Sequence, residues 1–224
     1  MRRSRTRARR PVRLALRRAL VPFALAACGA TPASPVAPSC PTDRPVVLAS
    51  QADITRLARC TTARGITVRS GAALDTSVLH ALTTITGDLV IGPTVGVEEI
   101  TFGELRVVDG TIRVVSNGLM QGLFLPRLER AGRIEIDGNV AITTVSLPRL
   151  AVVRGALRIT DNANLELVDI PRLAAIDQAL VLTGDPKLTL VEAAALKTAA
   201  SVQLDLPALP PDLAEQLRAA AAAP

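Results

Sequence analysis

The sequence predicts a mainly β protein, a right-handed parallel β-solenoid with an N-terminal and a C-terminal capping helix. Three observations predict it. Landmark residues recur every 22 or 23 residues, short runs in each repeat alternate between apolar and polar residues, and the 224 residues include no Trp or Tyr. A solenoid stacks coils about 4.8 Å apart, so only aliphatic side chains fit its bore at one level repeatedly.

The first 27 residues are typical of an export signal. Nine Arg and no acidic residue lie within positions 1–18, and the short apolar run ALVPFALAA occupies 19–27. This run is too short to cross a bilayer as a helix. From Cys28 onward there are 17 basic and 20 acidic residues, a net charge of −3, so the basic pI belongs to the leader. This charge and the scarcity of aromatic rings argue against a nucleic-acid partner.

The motif LAAC at 25–28 resembles the lipobox of bacterial lipoproteins. The resemblance implies cleavage before Cys28 and its acylation, for example by palmitate, which would anchor the chain in a membrane. Gly29 after the cysteine favours the outer membrane, on its periplasmic or surface side, by resemblance to enteric sorting. An ordinary secretory signal with an incidental Cys28 is the alternative. Residues 28–39 then comprise the lipidated cysteine and an extended tether rich in Pro, Ala and Ser.

If Cys28 is lipidated, the remaining cysteines form an even pair. Cys40 and Cys60 would then meet in an oxidising compartment, so we expect a disulfide between them. Closing a loop of about 20 residues would contribute about 3 kcal/mol in the chain-entropy model. Two free buried thiols are the alternative.

The repeats make up most of residues 40–209, which we interpret as the solenoid. Glycine precedes each strand, at Gly87, Gly110, Gly132 and Gly155. Strict alternation then predicts two inward residues per strand. These are Leu89 and Ile91, Ile112 and Val114, Ile134 and Ile136, Leu157 and Ile159, and Leu180 and Leu182.

An Asn or Asp follows each of four successive strands. An inward amide at a turn can satisfy backbone groups of its own coil and the next one. We therefore expect a structural ladder formed by Asn117, Asn139, Asn162 and Asp185.

Residues 40–68, CPTDRPVVLASQADITRLARCTTARGITV, followed by the G-x-L-x-I repeats, resemble a receptor L-domain, a leucine-rich-repeat-like solenoid. The resemblance implies that a first strand, VVLAS, a short helix and the cysteine pair cap one end. Ser50 would be the helix N-cap, with Asp53 in the first turn.

At the other end, residues 210–224 predict a second capping helix, in which Leu213 and Leu217 share one face. Residues 190–200 have both the register of a coil and the Ala content of a helix, and we favour a coil with a helical turn on its back.

No catalytic residue, metal site or cofactor motif stands out. His80 has no partner at a recognisable spacing, and we interpret it as partly buried or capping. Asp137, Asp161 and Asp185 lie near successive turns but do not share one register. Turn chemistry explains them, and calcium binding is the alternative.

Two rows of outward residues form the candidate binding face. Arg113, Glu135 and Arg158 would stack with alternating charge, and Arg127, Arg149 and Arg172 follow the repeat positions of Pro126, Pro148 and Pro171. A surface ion-pair ladder and solvated arginines are the alternatives.

We therefore expect a non-enzymatic, monomeric cell-envelope lipoprotein, whose partners are the membrane, through its lipid, and a glycan or envelope protein. A polysaccharide-active β-solenoid enzyme and a purely structural envelope spacer are the alternatives.

Overall fold

The computed structural model describes residues 40–220. Within them the chain forms a mainly β, parallel solenoid of about seven coils with a short helix at each end, as the sequence predicts. The predicted signal sequence at 1–27, the predicted lipidation site Cys28 with the predicted tether to residue 39, and residues 221–224 lie outside the described residues.

The described residues contain sixteen strands and two helices. In chain order they are β1 (Val46–Leu48), α1 (Gln51–Leu57), β2 (Thr62–Ala63), β3 (Ile66–Val68), β4 (Thr84–Ile85), β5 (Leu89–Ile91), β6 (Glu99–Thr101), β7 (Val107–Val115), β8 (Gly122–Phe124), β9 (Arg130–Asp137), β10 (Thr144–Ser146), β11 (Val152–Val153), β12 (Leu157–Thr160), β13 (Leu167–Asp169), β14 (Ala175–Thr183), β15 (Leu190–Glu192), β16 (Thr198–Asp205) and α2 (Pro211–Ala219).

The strands stack in rows, and every strand pair between residues 40 and 220 is parallel. Five short strands, each from a different coil, form a five-stranded sheet in the order β15-β13-β10-β8-β6. The other eleven strands form a second sheet, in which β7 and β14 continue through a bend and show register shifts there. Strands 20 to 23 residues apart pair directly, because one coil cannot bury its own apolar face and must lie against the next.

The bore of the solenoid is aliphatic. All ten residues predicted to point inward, from Leu89 to Leu182, are at most 1% exposed. A second series of leucines recurs every 22 or 23 residues, and its first five members are also buried: Leu82, Leu105, Leu128, Leu150 and Leu173. Its last member, Leu196, is only partly buried. The period-2 alternation therefore predicts the core correctly.

The Asn ladder lies at the corners that follow β7, β9, β12 and β14, and its four members are fully buried. Each Asn of the ladder donates both its backbone N–H and its Nδ2 to the Oδ1 of the ladder residue on the next coil. Asn139 does so to Asn162 at 3.1 and 2.9 Å, and Asn162 does so to Asp185 at 2.8 and 3.0 Å. Thr94 starts the ladder, because its N–H and Oγ1 donate to Oδ1 of Asn117.

The N-terminal end is closed by β1 and α1. Ser50 caps the helix in a capping box with Asp53, and hydrogen bonds from Ser50 in particular lower the pKa of Asp53. Ile54 and Leu57 face the core. Cys40 and Cys60 form a disulfide with their Cα atoms 5.5 Å apart, which ties the start of the described chain to the end of this cap.

The C-terminal end is covered by α2, which begins with Pro211 at its first turn and has no side-chain N-cap bond. Leu217 is buried and Leu213 is partly buried against the core. Residues 190–200 are the coil that their register predicts, but they form strand, turn and strand, so the helical turn we favoured is wrong. Parallel pairing of β15 with β13 and of β16 with β14 prevails over the helix propensity of alanine.

Candidate binding face

The outer face of β5, β7, β9 and β12 carries the first predicted row. Backbone register places Val90, Arg113, Glu135 and Arg158 side by side on successive coils. Because side chains alternate along a strand, these residues point away from the bore while their neighbours fill it.

Glu135 is the centre of this row, and it binds two guanidinium groups. Nε and Nη2 of Arg113 donate to its Oε2 at 3.0 and 2.8 Å, and Nη1 of Arg133 lies 3.4 Å from its Oε1. Arg158 pairs with Glu135 through the backbone register, but it makes no ion pair within residues 40–220. The predicted alternating ladder is therefore half right, because Arg133 from the same strand takes the second place at the carboxylate.

These contacts determine the charge of Glu135. Its side chain is only 19% exposed. Burial alone would raise its pKa, but the hydrogen bonds and charges of Arg113 and Arg133 outweigh burial and lower the pKa. Glu135 is therefore ionised near neutral pH and suited to holding two arginines rather than to donating a proton.

Three shallow depressions cross this face side by side. The first, of about 250 Å³, shares Asp88 and Val90 with the second, of about 290 Å³. The second shares Arg113 and Glu135 with the third, of about 210 Å³, which Arg158 also lines. Since neighbours share walls, they form one polar channel across strands β3, β5, β7, β9 and β12, which we call the outer groove.

Part of the outer groove was not predicted. Asp88, Thr111 and Arg133 line it, and Oδ1 of Asp88 accepts a hydrogen bond from the backbone N–H of Thr111 at 2.7 Å. Each of these residues lies two positions before a member of the predicted row. Residues i and i+2 of a strand share one face, so the same period-2 pattern could have found them.

The second predicted row occupies a corner of the coil. Arg127 binds Glu104 of the preceding coil, with 2.5 Å between Nη1 and Oε2. Arg149 and Arg172 are exposed and make no ion pair in the described part of the chain. Two acidic residues of the same coils have other partners: Glu129 binds Arg106, and Asp169 accepts a hydrogen bond from Ser146. The row therefore divides into one paired and two solvated arginines.

Other candidates do not assemble into a site. His80 is exposed, so its interpretation as a partly buried residue is wrong. Over residues 40–220, no group of three or more His, Cys, Asp and Glu side chains is placed to hold a metal ion. Asp137 accepts a hydrogen bond from Thr160, and Asp185 belongs to the ladder.

Neither α1 nor α2 is long and apolar enough to span a bilayer.

A further depression, of about 340 Å³, lies at the N-terminal cap against Arg44, Val47 and Leu57. The chain enters the described region next to it, at Cys40, so we assign no ligand there.

Comparison with protein-family models, with curated proteins and with solved structures gave no match for this chain.

Proposed function

We propose that this chain is a non-enzymatic cell-envelope lipoprotein whose solenoid, of the receptor L-domain kind, displays a rigid face for binding or scaffolding. The LAAC motif at 25–28 supports the anchor, and the capped solenoid supports the scaffold. A stack of parallel strands with a continuous bore holds its outer side chains at fixed spacing, which favours recognition of an extended, repetitive partner.

The observation that carries the proposal is the outer groove with its unequal charges. Glu135 is neutralised by Arg113 and Arg133, whereas Arg158 at the end of the groove has no ion-pair partner within residues 40–220. An unpaired guanidinium beside polar walls suits a carboxylate or sulfate ligand, which it can bind with two parallel hydrogen bonds. The ligand class we propose is an acidic glycan, bound through charge and hydrogen bonds, since no aromatic residue lines the groove.

The rival reading as a polysaccharide-cleaving enzyme requires a carboxyl group with a raised pKa to act as general acid. The groove does contain the acidic residues Asp88, Glu135 and Asp137. The pKa of Glu135, however, is lowered, which favours binding over proton transfer. Release of reducing ends or unsaturated products from acidic polysaccharides would favour the enzyme.

We expect Arg158→Gln to weaken binding of polygalacturonate about tenfold, equivalent to ~1.4 kcal/mol, without changing thermal stability. Isothermal titration calorimetry at low salt measures this, with neutral dextran as the negative ligand. Arg218→Gln on α2, outside the groove, is the matched control and should bind like the wild type.

Equal losses for both Arg variants would indicate nonspecific charge attraction and contradict the assignment of the groove. Absence of saturable binding to every acidic glycan and envelope protein tested would favour the structural spacer.

For the anchor, we expect Cys28→Ser to abolish incorporation of labelled palmitate and to move the protein from the membrane fraction to the soluble fraction, because one thiol and one new amino terminus carry all the acyl chains. Metabolic labelling and fractionation of producing cells measure both effects. Retention of the variant in the membrane fraction would contradict the lipoprotein assignment. It would not affect the proposal that the outer groove binds a ligand.

A further inference from the structure

The last rung of the Asn ladder differs from the others in its chemistry. Asp185 is fully buried, and its Oδ1 accepts both hydrogen bonds from Asn162. Its other oxygen, Oδ2, is also buried and has no hydrogen-bond partner among residues 40–220. A buried polar atom without a partner retains the full cost of its desolvation.

The earlier rungs show what group occupies the position of Oδ2. Nδ2 of each Asn donates to a backbone carbonyl of the preceding coil, and the acceptors are Ile91 for Asn117, Val114 for Asn139 and Ile136 for Asn162. Nδ2 of Asn139 and of Asn162 also donates to the carbonyl two residues upstream in its own coil.

By register, the equivalent carbonyls for Asp185 are those of Ile159 and Thr183. Oδ2 thus stands where an amide donor points at carbonyl oxygens in the other rungs. An ionised carboxylate there would face acceptors, whereas a protonated carboxyl group could donate to one of them.

The ladder of side chains ends at Asp185. Thr183 pairs with Asp205, so the same register brings Pro207 to the position that follows Asp185. Proline has no N–H and no side-chain donor or acceptor. A proton on Oδ2 would supply the donor towards the carbonyls of Ile159 and Thr183 that Nδ2 supplies in the earlier rungs.

The charges around Asp185 are acidic on the coils that pack against it. Asp137 and Asp161 act from preceding coils, and Asp205 lines the same surface depression from the following one. The nearest cation along the chain, Lys187, donates to Oδ1 of Asn164 instead. Burial above all, together with repulsion from Asp161 and Asp137, raises the pKa of Asp185 to about 6, despite the hydrogen bonds from Asn162.

We propose that Asp185 is a proton-dependent lock on the coil formed by β14 and β15. With a proton on Oδ2, the O–H donates to the carbonyl of Ile159 or Thr183 and completes the ladder. When the proton leaves to water, a buried carboxylate faces oxygen atoms, and the turn between β14 and β15, which carries Asp185, loosens from β12. This lock is independent of any ligand in the outer groove.

The direction of the pH effect follows from linkage. The folded-state pKa of Asp185 lies above the unfolded value of 3.8, so its contribution to stability is complete below pH 3.8 and is lost as pH rises through about 6. Between pH 4 and pH 7 the folded-to-unfolded ratio should fall roughly 50-fold through this group alone.

The test compares urea unfolding of the full-length wild type and Asp185→Asn from pH 4 to pH 7. Asn supplies a permanent donor at this position, so the variant should lack the decline due to Asp185, and the wild type should lose roughly 50-fold relative to it. Hydrogen exchange should place the difference in β14 and β15, with β5 unchanged. Asp205→Asn, at an exposed carboxylate on the following coil, is the matched control and should behave like the wild type.

Stability curves of wild type and Asp185→Asn that stay parallel within about threefold would overturn the proposal, as would a pH dependence that disappears in Asp205→Asn instead. If Asp185→Asn does not fold, carbon-13 NMR titration of the wild-type carboxyl groups still decides the matter. Titration of Asp185 near pH 6 supports the lock, and titration at or below pH 4 refutes it.

Discussion

Asn139→Ala is expected to reduce the free energy of unfolding by about 3 to 6 kcal/mol, because it removes a central rung of the buried ladder. Oδ1 of Asn139 accepts from the backbone N–H and the Nδ2 of Asn117, and its Nδ2 donates to the carbonyl of Val114. All of these groups lie in residues that are 0% exposed. Water cannot replace the lost partners without entering the bore, so the N–H of Asn117 is left buried and unpaired.

Asn164→Ala is the matched control, since it makes the same substitution two residues beyond a ladder position. Asn164 also bridges coils, through the carbonyl of Val140 and Nζ of Lys187, but at the surface. Water can replace its contacts, so we expect a loss below ~1 kcal/mol. Urea unfolding at pH 7 compares the two variants. Equal losses would show that the ladder contributes no more than ordinary surface hydrogen bonds.

Gly132→Ala is expected to cost about 3 kcal/mol, because the added methyl group would meet backbone rather than side chains. Gly87, Gly110, Gly132 and Gly155 stack at one bend of the solenoid. An added Cβ at Gly132 would lie 2.5 Å from the carbonyl oxygen of Gly110 on the preceding coil, and it would also clash with the carbonyl of Asp109. Relief requires the coils to separate at this bend, which strains the parallel pairing of β7 with β9.

Gly103→Ala is the control for this prediction. An added Cβ at Gly103 meets nothing within 4 Å, so the change should alter stability by no more than about 1 kcal/mol in either direction. Thermal unfolding followed by circular dichroism measures both variants. A Gly132→Ala protein as stable as Gly103→Ala would contradict the close approach of the coils.

The sequence predicted best what burial determines. A side chain in the bore has one direction to point, so alternation alone identifies Ile134 and Ile136 as core residues, and the repeat period sets which strands pair. Leaving the buried corner amides unpaired would be costly, which made the positions of Asn139 and Asn162 predictable as well.

The sequence was a poorer guide to the contacts between side chains at the surface. The carboxylate of Glu135 can reach several guanidinium groups at similar free energy, so its choice of Arg133 over Arg158 depends on rotamers that no period encodes. Thr94 could not be predicted as the first rung because it is not an Asn. Its hydroxyl donates to Oδ1 of Asn117, as the side-chain amide of an Asn does in the other rungs. No sequence pattern around His80 indicates whether its side chain is buried or exposed.

Nuclear Overhauser contacts between methyl groups in the bore test the stacking of coils most directly. In a protein with labelled Ile, Leu and Val methyl groups, Ile136 should contact Val114 on one side and Ile159 on the other, as the parallel register requires. Contacts of Ile136 with neither residue, or close Hα–Hα contacts typical of antiparallel strands, would contradict the solenoid and everything inferred from it.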